Sequence, residues 1–346
     1  MAGKRQHFIP RFLQRGFSIE KEGKFFSCLC KKEFIKENIV IENIGLENNF
    51  YTLDGDSLID EKITEKEIYI YSKIVRELVN GTFNMNDIES LSDFVFHMEI
   101  RTKNLRSNFT NTASHLIDQM RIRLLSKDAL SRYFNNNFIS DSSKMDRLIN
   151  EQFNVLNVPQ VLRPHIKNAF FNNIHAWLPY IANKLSLQLT PLLENMVLSG
   201  IPEAAKKGHL KGLGLDESLK IEEYKKLNYK VINVEQSLIL GDCLVVFEVN
   251  GNRRFKPFHE KDDDLKAVYM PINSHCMLYG AKYLDGNPSI ENINDIVAQC
   301  STDFFICKEP IHNINELQKL IGVNSYLLSD EFIDKMLSGL IGDDIF

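Results

Sequence analysis

The chain has 346 residues, 44% of them hydrophobic, and a formal net charge of -5. That length and apolar share describe a folded protein with a sizeable core and exclude wholesale disorder. The negative balance excludes a generic nucleic-acid coat, which is basic over much of its surface, and leaves room for a local basic groove.

The chain opens MAGKRQHFIPRFLQRGF, in which Phe8, Ile9, Phe12, Leu13 and Phe17 alternate with Lys4, Arg5, His7, Arg11 and Arg15. Whether strand or helix, such a stretch is pinned to the body of the protein. It carries no apolar h-region of a signal peptide. FFSCLCKKEFIKENIVIENI then reads as two strands around the Lys31-Lys32-Glu33 turn, and NNFYTLDGDS supplies turn residues with Asp54-Gly55 as the strongest element.

From residue 58 the period becomes helical. Thr64-Glu65-Lys66-Glu67 has the form of a capping box, and Leu58 and Ile59 allow an earlier start. Ile68, Tyr71, Ile74, Val75 and Leu78 share one face until Asn80-Gly81. A long or broken helix follows over 87–126, then helices over 141–156, over 159–187 with breaks expected at Pro164 and Pro179, and over 190–199. The pattern returns to β in YKVINVEQ, SLILGDCLVVFEV and AVYMPINSHCMLYGAKY, which read as three strands, and IENINDIVAQC-DFFIC reads as a helix running into a strand. Two short helices are expected in 313–341.

The expectation is an α+β fold, a mixed sheet built from N- and C-terminal strands with a large central helical block. Its divisions are 1–57, 58–215, 216–311 and a helical tail over 312–346. No run reaches the roughly 18–20 apolar residues of a membrane span, so no membrane partner is expected. The cysteines contain no CxxC pair, which fits a reducing, cytoplasmic location.

Several of these stretches resemble a bacterial family known as domain of unknown function 4238. QHFIPRFLQRGF is similar to its QHYVPxFLLRxF opening, and ENNFYTLDG to its xxFY segment. Asp60 and Glu67 match a pair of acids seven apart, usually both glutamate. FVFHMEIRTKNLR matches its fixxqxxRTPxxR helix at Arg101, Thr102 and Arg106, with Lys103 in place of the proline. SLILGDCLVVF stands where the family has fitSDNPvv and keeps only Asp242, YMPINSHCMLYG stands for fPLSpxxxl, and Asn294 fits a late asparagine. The resemblance implies a recurring bacterial module and brings no settled activity with it.

His7-Phe8-Ile9-Pro10 also resembles the start of the ββα-metal finger of HNH-type nucleases. There a histidine at a strand end activates water, an asparagine after a hairpin orients it, and a helix holds a metal. Read this way, His7 is the general base, Asn49 the orienting residue, Asp60 and Glu67 the ligands of Mg or Mn, and Arg11 or Arg101 the phosphate contact. The departures are a longer hairpin, no zinc-holding cysteines, and acids in place of the usual histidine ligand. Lys4, Arg5, Arg11 and Arg15, interleaved with Phe8, Phe12 and Phe17, form a strip suited to phosphates and bases, with Arg106 as a further substrate contact. Asp242, inside an apolar run, is a candidate catalytic acid or a turn anchor.

Each reading has a structural counterpart. Asp60 and Glu67 lie about two helical turns apart and face one way, so either would pair with Arg101 or Arg106 across a helix interface. Two functions are therefore expected. The first is a metal-dependent nuclease acting on DNA or RNA, a toxin or phage-defence effector. The alternative is a non-catalytic sensor or scaffold that binds a protein or small ligand, with His7, Glu67, Arg101 and Asp242 as a buried polar network.

Overall fold

The computed structural model describes residues 5–52, 58–124, 130–131, 142–214, 219–284, 288, 291–329, 332–333 and 335. The chain divides into two compact units: Met1–Phe109 with Ala205–Tyr326, and Thr110–Ala204 with Leu327–Phe346. These boundaries cut across the helical block expected over 58–215. Its first part, 58–109, and its last, from 205, belong with the strands.

The first unit begins with β1 (Arg5–His7) and α1 (Arg11–Arg15), followed by β2 (Ile19–Lys21), β3 (Lys24–Lys31), β4 (Ile35–Val40) and β5 (Leu46–Asn48). Pro10, extended at φ -61° and ψ 134°, ends the strand and starts the helix. Next come α2 (Leu58–Lys66), a π-helical turn over Glu67–Tyr71, α3 (Ser72–Val79), α4 (Ile88–Ile100) and α5 (Lys103–Leu124), whose residues from Thr110 on belong to the second unit. The second unit contains α6 (Ser142–Val155) and α7 (Arg163–Asn195), followed by a π turn at Met196–Gly200.

From α8 (Ile201–Leu213) the chain continues through α9 (Leu219–Lys225), β6 (Asn228–Asn233), β7 (Leu240–Gly241), β8 (Val246–Val249), β9 (Phe255–Lys256), β10 (Leu265–Asn273) and β11 (Cys276–Ala281). It ends with α10 (Ile293–Cys300), β12 (Phe304–Cys307) and α11 (Ile314–Leu320).

The α+β class holds, and strands from both ends of the chain do meet in one sheet, β2-β3-β12-β7 with β4 also on β3. The described ladders are all antiparallel rather than mixed. The remaining C-terminal strands form a second sheet, β6-β11-β10-β8-β9, and among the described residues β1 pairs only with β5. β11 is buried at every position and β10 at all but its second and last, so these strands are the centre of the core.

Several local expectations differ from the structure. AVYMPINSHCMLYGAKY is a hairpin and not one strand, because the Asn273 side chain accepts the His275 N–H at 2.7 Å and turns the chain. Thr64 lies inside α2 and caps nothing. α7 runs unbroken through Pro179 and Pro191. Pro164 sits in its first turn, where a missing N–H costs nothing, and Ile174, Leu178 and Ala182 continue one buried face across Pro179.

The second unit packs Leu185, Leu189 and Leu193 around Leu130 and Ala182, and packs Leu116, Met120 and Leu328 around Ile333. No helix of the described residues is long and apolar enough to cross a membrane.

Gly45 sets the approach of β1 to its partner. It sits at φ +61°, its carbonyl accepts from Phe8 N at 2.8 Å and Ile9 N at 3.1 Å, and an added Cβ would lie 2.7 Å from the Ile9 Cβ. Gly45→Ala therefore combines a strained φ with a clash against a buried side chain and is expected to destabilise the fold by about 2–3 kcal/mol. Urea denaturation of the two proteins measures this, and an unchanged midpoint would contradict the close approach.

Candidate functional site

Arg101 stands at the C-terminal end of α4, only 1% exposed. A guanidinium removed from water needs acceptors on its N–H groups. Its Nε donates to the Phe8 carbonyl at 3.1 Å, its Nη2 to the His7 carbonyl at 2.6 Å, and its Nη1 to Oε1 of Glu67. The Tyr51 hydroxyl lies 3.1 Å from the Arg101 carbonyl and 3.3 Å from that of His7. Burial pushes the Tyr51 phenol up to about 12, so it stays a donor near neutrality.

The π turn shifts the helix register by roughly one residue; Glu67 opens it and pairs with Arg101, and Tyr71 closes it, its hydroxyl donating to Oδ2 of Asp93 at 2.7 Å. The same register shift leaves Ile68, expected on the buried face, 59% exposed, beside Tyr69 and Ile70. Tyr71, Ile74, Val75 and Leu78 are buried as expected.

His7 is half-buried at the end of β1, opposite Leu46. Its Nδ1 lies 3.1 Å from the Ile44 carbonyl. A carbonyl only accepts, so Nδ1 carries the hydrogen and Nε2 the lone pair. Nε2 has no partner among the described residues and is not sealed from solvent. Burial, and then the charges of Arg11, Arg101 and Arg5, lower the His7 pKa to about 4. The ring is therefore neutral at pH 7. Arg11 is exposed and makes no hydrogen bond or ion pair among the described residues, whereas Arg5 donates to the Asn43 side chain at 2.9 Å. Arg15 lies 5.2 Å over the Phe25 ring.

Asp60 stands on the other side of the strand. Gln6, whose side chain faces opposite to that of His7, hydrogen-bonds Asp60 and donates to the Thr52 hydroxyl at 2.9 Å. Burial raises the Asp60 pKa, against the opposing pull of Gln6 and Arg101. Among the described residues no three His, Cys, Asp or Glu side chains converge as a group able to hold a metal ion. Glu67 keeps its second carboxylate oxygen outside the Arg101 pair, and its side chain is 20% exposed.

Other expected site residues are placed apart. Asn49 follows the β5 rung that pairs Asn48 with Arg5, and sits in the left-handed region at φ 53°. It is three residues, about 10 Å, along the ribbon from the His7–Leu46 rung. Asp242 is buried, and its carboxylate accepts the backbone N–H groups of Thr302 and Asp303 at 2.7 Å and of Phe304 at 3.2 Å. It anchors the β7–β12 junction, with a pKa raised to about 7 by burial. Arg106 lies 3.9 Å over the Phe50 ring and donates to the Phe50 carbonyl at 2.9 Å. It also donates to Nδ1 of His209 at 2.8 Å, while Nε2 of that histidine donates to the Ile100 carbonyl at 2.6 Å. Lys4 lies outside the described residues.

Sequence reasoning passed over Glu99. Its side chain is fully buried and accepts from Lys220 Nζ at 2.6 Å, from the His259 N–H at 2.8 Å and from the Tyr224 hydroxyl at 2.7 Å. The one available signal was an acid inside the apolar run FVFHMEI.

The described geometry is thus a neutral histidine beside exposed arginines, on a strand clamped by a buried guanidinium, in an α+β scaffold. The family described as Protein of unknown function (DUF4238) matches residues 5–320, and the chain belongs to it. No curated protein and no solved structure matches the chain.

Two measurements check the site. Arg101→Ala strands Glu67 and frees two backbone carbonyls, and should cost about 3–5 kcal/mol in urea denaturation; a loss below about 1 kcal/mol would contradict the clamp. The His7 ring should titrate by NMR with a midpoint near 4. Because its folded pKa lies below the unfolded value, the unfolded chain alone takes up this proton as pH falls from 6.5 toward 4. The His7 contribution to stability therefore declines across that window, and a midpoint near 6.5 would contradict the cationic surroundings.

Proposed function

We propose that the chain is a nuclease acting on DNA or RNA, with His7 as the general base. The observation that carries this reading is the fixed tautomer of His7, with Nε2 open, neutral and flanked by arginines. A neutral imidazole accepts a proton from water, and positive charge nearby draws the scissile phosphate to it. Arg11 is the phosphate contact in this proposal. If Mg or Mn takes part, Glu67, whose second oxygen lies outside the Arg101 pair, and Asp60 are the carboxylates that would hold it, and it would supply stabilisation of charge on a phosphate. The cellular role proposed with it is that of a cytoplasmic toxin or phage-defence effector.

A second reading is favoured by one observation. Arg101 directs its bonds to the backbone of β1 and to Glu67, and Gln6 bonds to Asp60, so the acids already have partners inside the protein. In that reading the network is a clasp and the protein is a sensor or scaffold.

Incubation of wild type and His7→Ala with plasmid, single-stranded DNA, tRNA and total RNA separates the two, with and without Mg²⁺ or Mn²⁺. The nuclease reading expects cleavage by wild type, reduced by about 10²–10⁴-fold in a folded His7→Ala. Its acidic limb in pH lies near 4, set by His7. No cleavage of any substrate by folded wild type would reject the nuclease and leave the clasp.

A further inference from the structure

A second feature of the first unit lies apart from His7. A cleft of about 410 Å³ opens between α1, α3 and the end of β10. Its floor is held to a fixed geometry: Ser274 N–H donates to the Gly16 carbonyl at 3.0 Å, and a Cβ on Gly16 would stand 2.7 Å from the Ile272 carbonyl oxygen. Arg15 and Arg76 line it, and the described lining includes no acid. Arg15 is steadied over the Phe25 ring, while exposed Arg76 has no hydrogen bond or ion pair among the described residues. Two guanidiniums without a counter-charge suit an anion, and their fork geometry suits phosphate oxygens.

The rest of the lining narrows the ligand. Phe12 and Ile272 give an apolar wall, and Asn80 and Asn273 add amides. The Asn273 Oδ1 accepts the His275 N–H, which leaves its NH₂ group to donate elsewhere. A hydrocarbon tail would leave those amides unpaired, whereas a flat heterocycle packs on the wall and hydrogen-bonds at its edge. The volume lies within the range of small-ligand pockets.

We propose that this cleft binds a nucleoside monophosphate, the phosphate on Arg15 and Arg76 and the base against Phe12 and the two amides. Neither His7 nor its tautomer enters the site, so the proposal stands independently of the nuclease reading. The terminal nucleotide of a strand offers the same chemistry as the free compound.

Calorimetric titration of the full chain with AMP, UMP, adenosine, inorganic phosphate and a 5′-phosphorylated trinucleotide tests it. AMP or UMP should bind, and adenosine and phosphate should each bind about tenfold or more weakly. Arg76→Ala, a change at an exposed side chain, should weaken AMP about tenfold or more, as should Arg15→Ala, while His7→Ala leaves AMP affinity unchanged. A trinucleotide that binds more tightly than AMP makes a strand end the natural occupant, and equal affinity makes it the free nucleotide; both support the site. No binding of either nucleotide at millimolar concentration, or unchanged AMP affinity in a folded Arg76→Ala, would overturn it.

Discussion

A guanidinium shut away from water is stable only where acceptors surround it, and the N-terminal ribbon of this protein is arranged around that requirement. Arg101 takes two of its acceptors from the backbone of β1 and one from the π turn after α2. β1 is three residues long and, among the described residues, pairs with a single strand, too little to hold itself in place. What fixes it is the set of bonds from Arg101, Tyr51 and the Gly45 carbonyl. The strand in turn presents His7. The chemistry proposed for the imidazole thus depends on a cation at the end of a helix far away in sequence.

The same arrangement gives the two faces of β1 different surroundings. Side chains alternate across a strand, so Gln6 meets the acidic helix while His7 turns to the carbonyl of Ile44 and the arginines of the opening segment. Cations near an imidazole favour its neutral form and repel a metal ion equally well. In the nuclease proposed here, those cations would face an anionic substrate.

Much of this was legible in the sequence. The strands around Lys31-Lys32-Glu33, the α+β class and the apolar faces of the helices follow from periodicity, because side-chain burial repeats with the backbone. The pairing of Glu67 with Arg101 was readable as a structural alternative, since an arginine among Phe94, Val95 and Met98 needs a partner. Less legible was the π turn, because one extra residue in a helix leaves no mark in composition and simply displaces Ile68 from the buried face. The hairpin at Ser274 was hidden by apolar runs on both of its sides. The separation of Asn49 from His7 depends on strand register, which sequence spacing alone does not set.

The junction between α4 and α5 explains why so many polar groups are buried at one place. Glu99 holds α9 and the His259 backbone, Arg101 holds β1, Asn104 donates to the Cys300 carbonyl at 3.2 Å, and Arg106 reaches Phe50 and His209. Thr102 closes the helix end itself, donating to the Glu99 carbonyl at 3.2 Å. Four side chains within eight residues therefore tie the N-terminal ribbon, the loop after β5, α8, α9 and α10 to one helix break. Apolar packing is non-directional and would allow these elements to slide. Hydrogen bonds from buried charges allow one arrangement, because any slip leaves a charge unpaired. This is the physical content of the RTKNLR stretch: its residues act as the common anchor that sets the position of the histidine without touching its ring.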